Sequence, residues 1–313
     1  MCKHNRVQDG SRKAIIAAFL ANLGIAIAKF VGFLITASAS LLAEAAHSLA
    51  DTGNQALLLL GGKRAKRQPN TARPFGHGRE RYFWAFVVAL VLFSMGGLFA
   101  LYEGIQKLRH PHETEGFAVA VGILLVAIAL ESFSLMTAVR EARHVKPRSM
   151  SWWRFIRTAK QPELPVVLLE DVGAEIGLFL ALFGVVMGHY THNARWDAVG
   201  SVAIGVLLVV IAIVLAIEMK SLLIGESASP DDERLILTAM MQHPSVVSVI
   251  YVRTEHLGPD EVLVAAKVEF DRDIDFTALS AAIDEVEADV RRVYDKARFI
   301  FIEPDIAHGG SRL

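Results

Sequence analysis

Apolar residues in this chain do not recur at isolated helical or strand positions; they merge into long blocks separated by polar, basic stretches. The blocks run roughly over Ala14–Thr36, Leu41–Gly62, Tyr82–Tyr102, Phe117–Val139, Leu164–Met187 and Val199–Ile217. Each is close to the ~20 residues that cross a hydrocarbon core as a helix. The pattern therefore predicts an α-helical membrane protein with six spans.

Basic residues between the blocks set the orientation. Lys3, Arg6, Arg12 and Lys13 precede the first. Lys63, Arg64, Lys66, Arg67, Arg73, Arg79 and Arg81 lie between the second and third. Arg140, Arg143, Lys146, Arg148, Arg154, Arg157 and Lys160 lie between the fourth and fifth. The opposite side carries only Lys107, Arg109 and Arg195. Cytoplasmic loops collect Lys and Arg, so both termini are expected in the cytoplasm, as an even number of spans also requires. Within the second basic loop, Met150–Lys160 mixes Trp152, Trp153 and Phe155 with three cations. That composition suits either a helix lying in the interface or a loop with aromatic anchors.

Beyond Ile224 the pattern changes. Ser229–Pro230 followed by Asp231, Asp232 and Glu233 reads as an N-cap, an N1 proline and an acidic first turn, opening a helix to about Gln242. Val246–Arg253 and Glu261–Phe270 are β-branched runs separated by Gly258–Pro259–Asp260. Leu279, Ile283, Val286, Val290 and Val293 recur on one helix face, and Arg298–Ile302 closes as a strand. The expected division is a six-span membrane domain over 1–225 and a small cytoplasmic α+β domain, of order αββαβ, over 226–313.

Composition adds three points. The chain has 313 residues, 53% of them hydrophobic, and a net charge of −1 that gives no reason to expect a nucleic-acid partner. Its only cysteine is Cys2, which leaves no disulfide framework and no thiolate metal site, and argues against copper(I). Met1–Lys13 is polar and basic, and the apolar run after it is too long for a cleaved signal peptide, so the first span is expected to be retained, in a bacterial inner membrane.

An ionisable residue inside a span costs about 2.5–3.5 kcal/mol on insertion scales and calls for a reason. In the second block His47 and Asp51 stand four residues apart, on one helix face with Cβ atoms about 5–6 Å apart. Glu44 lies one turn before them and Asn54 one turn after. Imidazole and carboxylate so spaced suit one small divalent cation; zinc takes such donors at about 2.0–2.2 Å. They also suit a structural pair that only rigidifies the bundle. The fifth block adds adjacent Glu170 and Asp171, with Glu175 one turn on. Carboxylates gathered in low dielectric repel unless a cation or protons neutralise them, and metal and protons then compete for the site. Two spans with inward acids favour a cation pathway. Asn22, Lys29, Glu103, Glu131, Ser132 and Ser134 are expected to pack or pair rather than bind metal.

These residues resemble the cation diffusion facilitator family. The resemblance rests on HSLAD at His47–Asp51, PFGHGRER at Pro74–Arg81, the six blocks and the αββαβ tail. LLED at Leu168–Asp171 and LLIGES at Leu222–Ser227 resemble the branch that includes the animal mitochondrial zinc exporter. The resemblance implies a homodimeric exporter of Zn2+, with Mn2+, Co2+ or Fe2+ as other cargoes, exchanging the metal for protons and needing no organic cofactor. It places His47, Asp51 and Asp171 on three of four ligand positions; the fourth is Val167, and Glu170, one residue and about 100° round the helix from Asp171, is the candidate replacement if the helix is rotated or distorted there. His77 matches a histidine used in a second site by some members, but Asn70 and Arg73 stand where its partners would be. In the tail, metal positions of the family fall on apolar residues such as Phe301, which leaves dimerisation as its implied role. Two rival readings remain: a non-transporting partner subunit, suggested by Val167, and an intramembrane metalloprotease, for which no HExxH sequence is present.

Overall fold

The computed structural model describes residues 23–111 and 116–307. The start of the first expected span, with Asn22, lies outside the described residues. The order is α1 (Leu23–Thr36), α2 (Ala39–Ala65), α3 (Glu80–Arg109), α4 (Phe117–Val145), α5 (Trp152–Thr158), α6 (Glu163–Thr191) and α7 (Arg195–Ile224). There follow α8 (Pro230–Met241), β1 (Val246–Gly258), β2 (Glu261–Phe270), α9 (Phe276–Val293) and β3 (Ala297–Pro304). The chain forms two compact units. One runs to Gly62 and resumes over Phe83–Met219; the other joins Lys63–Tyr82 to the chain from Lys220 onward.

The first unit is a helical membrane domain turned inside out relative to a soluble bundle. Among the described residues α3, α4 and α7 are long and apolar enough to cross a membrane. Helices α2 and α6 have 27 and 29 residues but carry internal acids. On α2 the buried face is polar, with Glu44, His47, Ser48, Asp51, Thr52 and Asn54, while Leu49 and Leu59 are exposed. Val126, Phe133, Phe179 and Phe183 point outward on α4 and α6. Lipid solvates such an apolar exterior, and the polar residues must satisfy one another within.

Close helix approach comes from small residues. A Cβ built on Gly97 of α3 would lie 2.7 Å from Val209 of α7, and one on Gly205 of α7 would lie 2.7 Å from Leu101 of α3. With glycine at these crossings the two backbones pack directly, the usual route to helix association in lipid. At this contact α3 departs from α geometry: Leu92–Leu98, which includes Gly97, is π-helical.

At one end of the bundle a buried acid of α7 ties α2, α3 and the α1–α2 connection together. Asp197, in the first turn of α7, accepts from the Ser38 hydroxyl at 2.9 Å and from the Ala39 amide at 3.0 Å, capping α2. Lys107 near the end of α3 donates to Asp197 at 2.8 Å and to the Ala37 carbonyl at 2.8 Å. Ala37 joins α1 to α2 with φ +50°, a left-handed conformation that costs a non-glycine residue about 1–2 kcal/mol. The Lys107 contact offsets that strain. Both members of the ion pair are almost fully buried.

The second unit has the expected αββαβ order and a sheet ordered β1-β2-β3, antiparallel between β1 and β2 and parallel between β2 and β3. Burial alternates along β2: Val262, Val264, Ala266 and Val268 face a core completed by Ile236 and Met240 of α8 and Val286 and Val290 of α9. Strand β1 runs past the expected end at Arg253 because Glu255 and His256 continue the ladder with Leu263 and Val262. The segment between α2 and α3 belongs to this unit. Arg79 is paired with Glu255, Arg81 with Asp260 at 2.9 Å, and Phe75 meets Phe299 edge-on with centroids 5.2 Å apart. Gly78 lies so close to the Leu257 carbonyl that a Cβ would stand 2.6 Å from it.

The Asp197 clamp yields a stability prediction. Asp197→Ala removes the α2 cap and strands the Lys107 ammonium in the interior, a loss of about 3–5 kcal/mol. Thermal unfolding of the purified protein in detergent should show a clearly lowered Tm; an unchanged Tm contradicts the clamp.

Candidate metal centre

Helix α2 carries most of the site because its buried face repeats every three to four residues: Glu44, His47 and Ser48, Asp51, Asn54. His47 Nε2 stands 3.3 Å from Asp51 Oδ2, the i,i+4 pairing expected from the sequence. Neither ring nitrogen of His47, nor Asp51 Oδ1, has a hydrogen-bond partner among the described residues, although all are buried. Buried polar atoms without partners are rare, and a set of them on adjacent side chains marks a place for an ion or water. On the far side of the imidazole lies the π-helical stretch of α3, where a Cβ on Gly96 would come within 3.9 Å of His47 Nδ1. Such segments interrupt a regular helix most often at functional sites.

Helix α6 contributes the second half, and the structure separates its two adjacent acids. Glu170 is buried and turned to α2, accepting from Asn54 Nδ2 at 2.5 Å. That contact sets its carboxylate against α2 one turn beyond Asp51. Asp171 is turned toward α4, where Ser134 Oγ donates to it at 3.1 Å. Val167 is half-buried. Among the described residues no three His, Cys, Asp or Glu side chains converge as a ready-made metal cage. The arrangement is a His47–Asp51 pair on α2, Glu170 of α6 held against α2 one turn further on at Asn54, and Asp171 held toward α4 at Ser134.

A second polar set surrounds this one. Lys29 of α1 is wholly buried and donates to Glu44 at 3.1 Å and to Ser48 at 2.7 Å. Gly177 of α6 makes room for Glu44; a Cβ there would lie 2.5 Å from Glu44 Oε1. Ser132 of α4 donates to Glu175 at 2.8 Å, and Glu131 is buried. Lys29, Ser132 and Ser134 thus have the pairing roles expected of them. The Lys107–Asp197 clamp was not foreseen, because both residues fall at the polar ends of apolar blocks, where loop residues are expected. In the other unit His77 is buried with Nδ1 unpartnered among the described residues, while Asn70 closes a turn by accepting from the Ala72 and Arg73 amides.

A helical membrane domain with a polar seam between two helices, imidazole and carboxylate on one and carboxylates on the other, has the chemistry to bind and pass a small cation. Residues 15–224 match the family described as the cation efflux transmembrane domain, and the chain belongs to that family. It is similar to the proton-coupled zinc antiporter SLC30A9, mitochondrial, of Homo sapiens, at 31% identity over 263 residues, 84% of this chain and 46% of the relative. It is also similar to metal tolerance protein C4 of Arabidopsis thaliana, at 28% over 83% of this chain and 57% of the relative. A third relative is zinc transporter ZitB of Pectobacterium atrosepticum, at 26% over 82% of this chain and 75% of the relative. The chain spans about half the length of the human relative.

The Lys29–Glu44 pair can be tested by paired substitution. Glu44→Leu strands a buried ammonium and should cost about 3–5 kcal/mol, whereas Lys29→Met with Glu44→Leu removes both charges and should cost much less. Tm values of the single and double variants in detergent check this; a double variant as unstable as the single would contradict it.

Proposed function

We propose that this chain is a secondary transporter that exports a divalent cation, Zn2+ first, from the cytoplasm in exchange for protons. The observation that carries the reading is the buried His47–Asp51 pair with unpartnered donor atoms, one helix turn from the Asn54–Glu170 contact with α6, in a cation efflux domain. The names of the human and Pectobacterium relatives, a proton-coupled zinc antiporter and a zinc transporter, support the cargo and the exchange. Mn2+, Co2+ and Fe2+ suit the same nitrogen and oxygen donors. The chemistry is carriage rather than catalysis, so the chain is not an enzyme.

The proposed ligands are His47, Asp51 and Asp171, with Glu170. Glu170 gains weight from its orientation: it already meets α2 at Asn54, one turn from Asp51, and release from Asn54 would free its carboxylate for an ion held by the α2 pair. Asp171 needs a modest rotation of α6 away from Ser134 to join them. Rocking of α6 against α2 would thus assemble and disassemble the site, in the manner of alternating access. A metal ligand must be deprotonated, so a proton arriving at His47 or a carboxylate displaces the metal, and zinc affinity falls as pH falls.

The setting has six spans, with α1, α2 and α6 joining α3, α4 and α7, and with both termini in the cytoplasm. Support comes from the lengths of α2 and α6, from their outward Leu and Phe, and from the basic loops. The transport domain ends near residue 225 and the remainder is a cytoplasmic domain that supports a homodimer, for which the exposed sheet residues Val247 and Phe301 offer apolar surface. A bacterial inner membrane is the proposed location, supported by the likeness to the bacterial relative.

Sealed vesicles containing the purified protein, with a pH-sensitive dye inside and zinc outside, test the proposal. Zinc entry should drive proton exit, and Asp51→Ala should abolish both while the protein still inserts, since the change removes a cost of insertion. Glu170→Ala should lower zinc flux as severely as Asp171→Ala. Near-normal flux in Asp51→Ala would overturn the site. Absence of flux for zinc, manganese, cobalt and iron alike in the wild type would point instead to a partner subunit.

A further inference from the structure

The loop between α4 and α6 carries charges that the cation site does not use. Arg140 and Arg143 lie on the last turns of α4, Arg148 in the connection, and Arg154 on α5; all are exposed. None of these four side chains has an acidic partner among the described residues. Glu141 is the lone acid from Arg140 to Lys160, so the segment is strongly positive. By contrast, among the described residues exposed Arg73, Arg157, Arg272, Arg291 and Arg298 each meet an acid, for example Arg157 with Glu218 at 3.1 Å.

The segment is also built. Lys146 caps α4 in an extended conformation, donates to the carbonyls of Pro147 and Met150, and lies over the Trp152 ring at 5.2 Å. Ser151 caps α5 by accepting from the Arg154 amide at 3.2 Å. Phe155 and Ile156 are buried and pin the helix to the bundle beside α6. Trp153 is left 56% exposed and Trp152 37% exposed, on the same short helix as Arg154. Indoles exposed at a span terminus are suited to the headgroup level of a bilayer, where their rings sit in the apolar margin and their N–H groups reach water.

We infer that this segment is a binding site for the phosphate headgroup of an anionic phospholipid, with Arg143, Arg148 and Arg154 as the charge partners and Trp152 and Trp153 as the anchor in the acyl margin. Charge complementarity selects the occupant. Zwitterionic headgroups carry no net charge to neutralise the cluster, whereas each basic residue at the surface strengthens attachment to an anionic lipid by about fivefold. Attached lipid would hold α5, and through it the start of α6, at a fixed depth. The inference depends on the domain lying in a bilayer and not on the cation chemistry, so zinc flux of the same variants reports separately on the transport reading.

Native mass spectrometry of the full-length protein in detergent, titrated with phosphatidylglycerol or phosphatidylcholine, tests it. The wild type should retain phosphatidylglycerol at least tenfold more tightly than phosphatidylcholine, and millimolar inorganic phosphate should not displace it. The triple variant Arg143→Gln, Arg148→Gln, Arg154→Gln should lose most of that preference, while Arg→Lys at the same positions keeps it. If the triple variant does not fold, Arg148→Gln with Arg154→Gln leaves α4 intact and should still lose about 25-fold in affinity. Equal retention of the two lipids by the wild type, or an undiminished preference in the Gln variants, would overturn the inference.

Discussion

A charge placed in hydrocarbon has to be neutralised where it stands, and the helical unit is organised around that requirement. Lys29 meets Glu44 and Ser48; Lys107 meets Asp197; Glu170 meets Asn54; Asp171 meets Ser134. Each contact joins different helices, so polar satisfaction and helix packing are the same set of interactions. The His47–Asp51 pair differs in kind. It lies within one helix and leaves both imidazole nitrogens and a carboxylate oxygen unsatisfied. Glu44, Asn54 and Glu175 each have a partner on one polar atom and lack one on another among the described residues, whereas His47 lacks one on both ring nitrogens; that deficit is the ground for the proposed cation site.

The division of labour between Glu170 and Asp171 follows from helix geometry. Adjacent residues point about 100° apart, so one acid cannot share a face with the other. The structure gives the α2-facing position to Glu170 and the α4-facing position to Asp171. A site that needs both must turn the helix, and glycines at 173, 177 and 184 give α6 a smooth surface where it meets Ile211, Glu44 and Trp196. The π-helical turn of α3 beside His47 is a further place where the backbone departs from a rigid rod.

Much of this architecture was legible in the chain. Apolar run length located the helices because the bilayer sets it, and period-two alternation in Glu261–Phe270 located the central strand of the small domain. The i,i+4 spacing of His47 and Asp51 was readable because it is a property of one helix. Contacts between helices were not. Asn54 with Glu170, Lys107 with Asp197 and Lys29 with Glu44 lie 15 to 116 residues apart in sequence, and nothing in either residue's local pattern names its partner. The helix ends were also misjudged: α3 runs to Arg109 rather than Tyr102, because backbone hydrogen bonding continues past the point where hydropathy falls. The segment Lys63–Tyr82 reads as a loop between spans, yet Arg79, Arg81 and Phe75 tie it into the sheet unit through partners far along the chain.

The central claim is that one zinc ion is held by the α2 imidazole–carboxylate pair with carboxylate oxygen from α6. X-ray absorption at the zinc edge of the metal-loaded full-length protein addresses the ligands themselves. The account predicts a first shell of one imidazole nitrogen with oxygen donors at about 2.0–2.2 Å and no sulfur, and loss of the imidazole signature in His47→Ala. A shell containing two or more imidazoles, or one unchanged by His47→Ala, would contradict it.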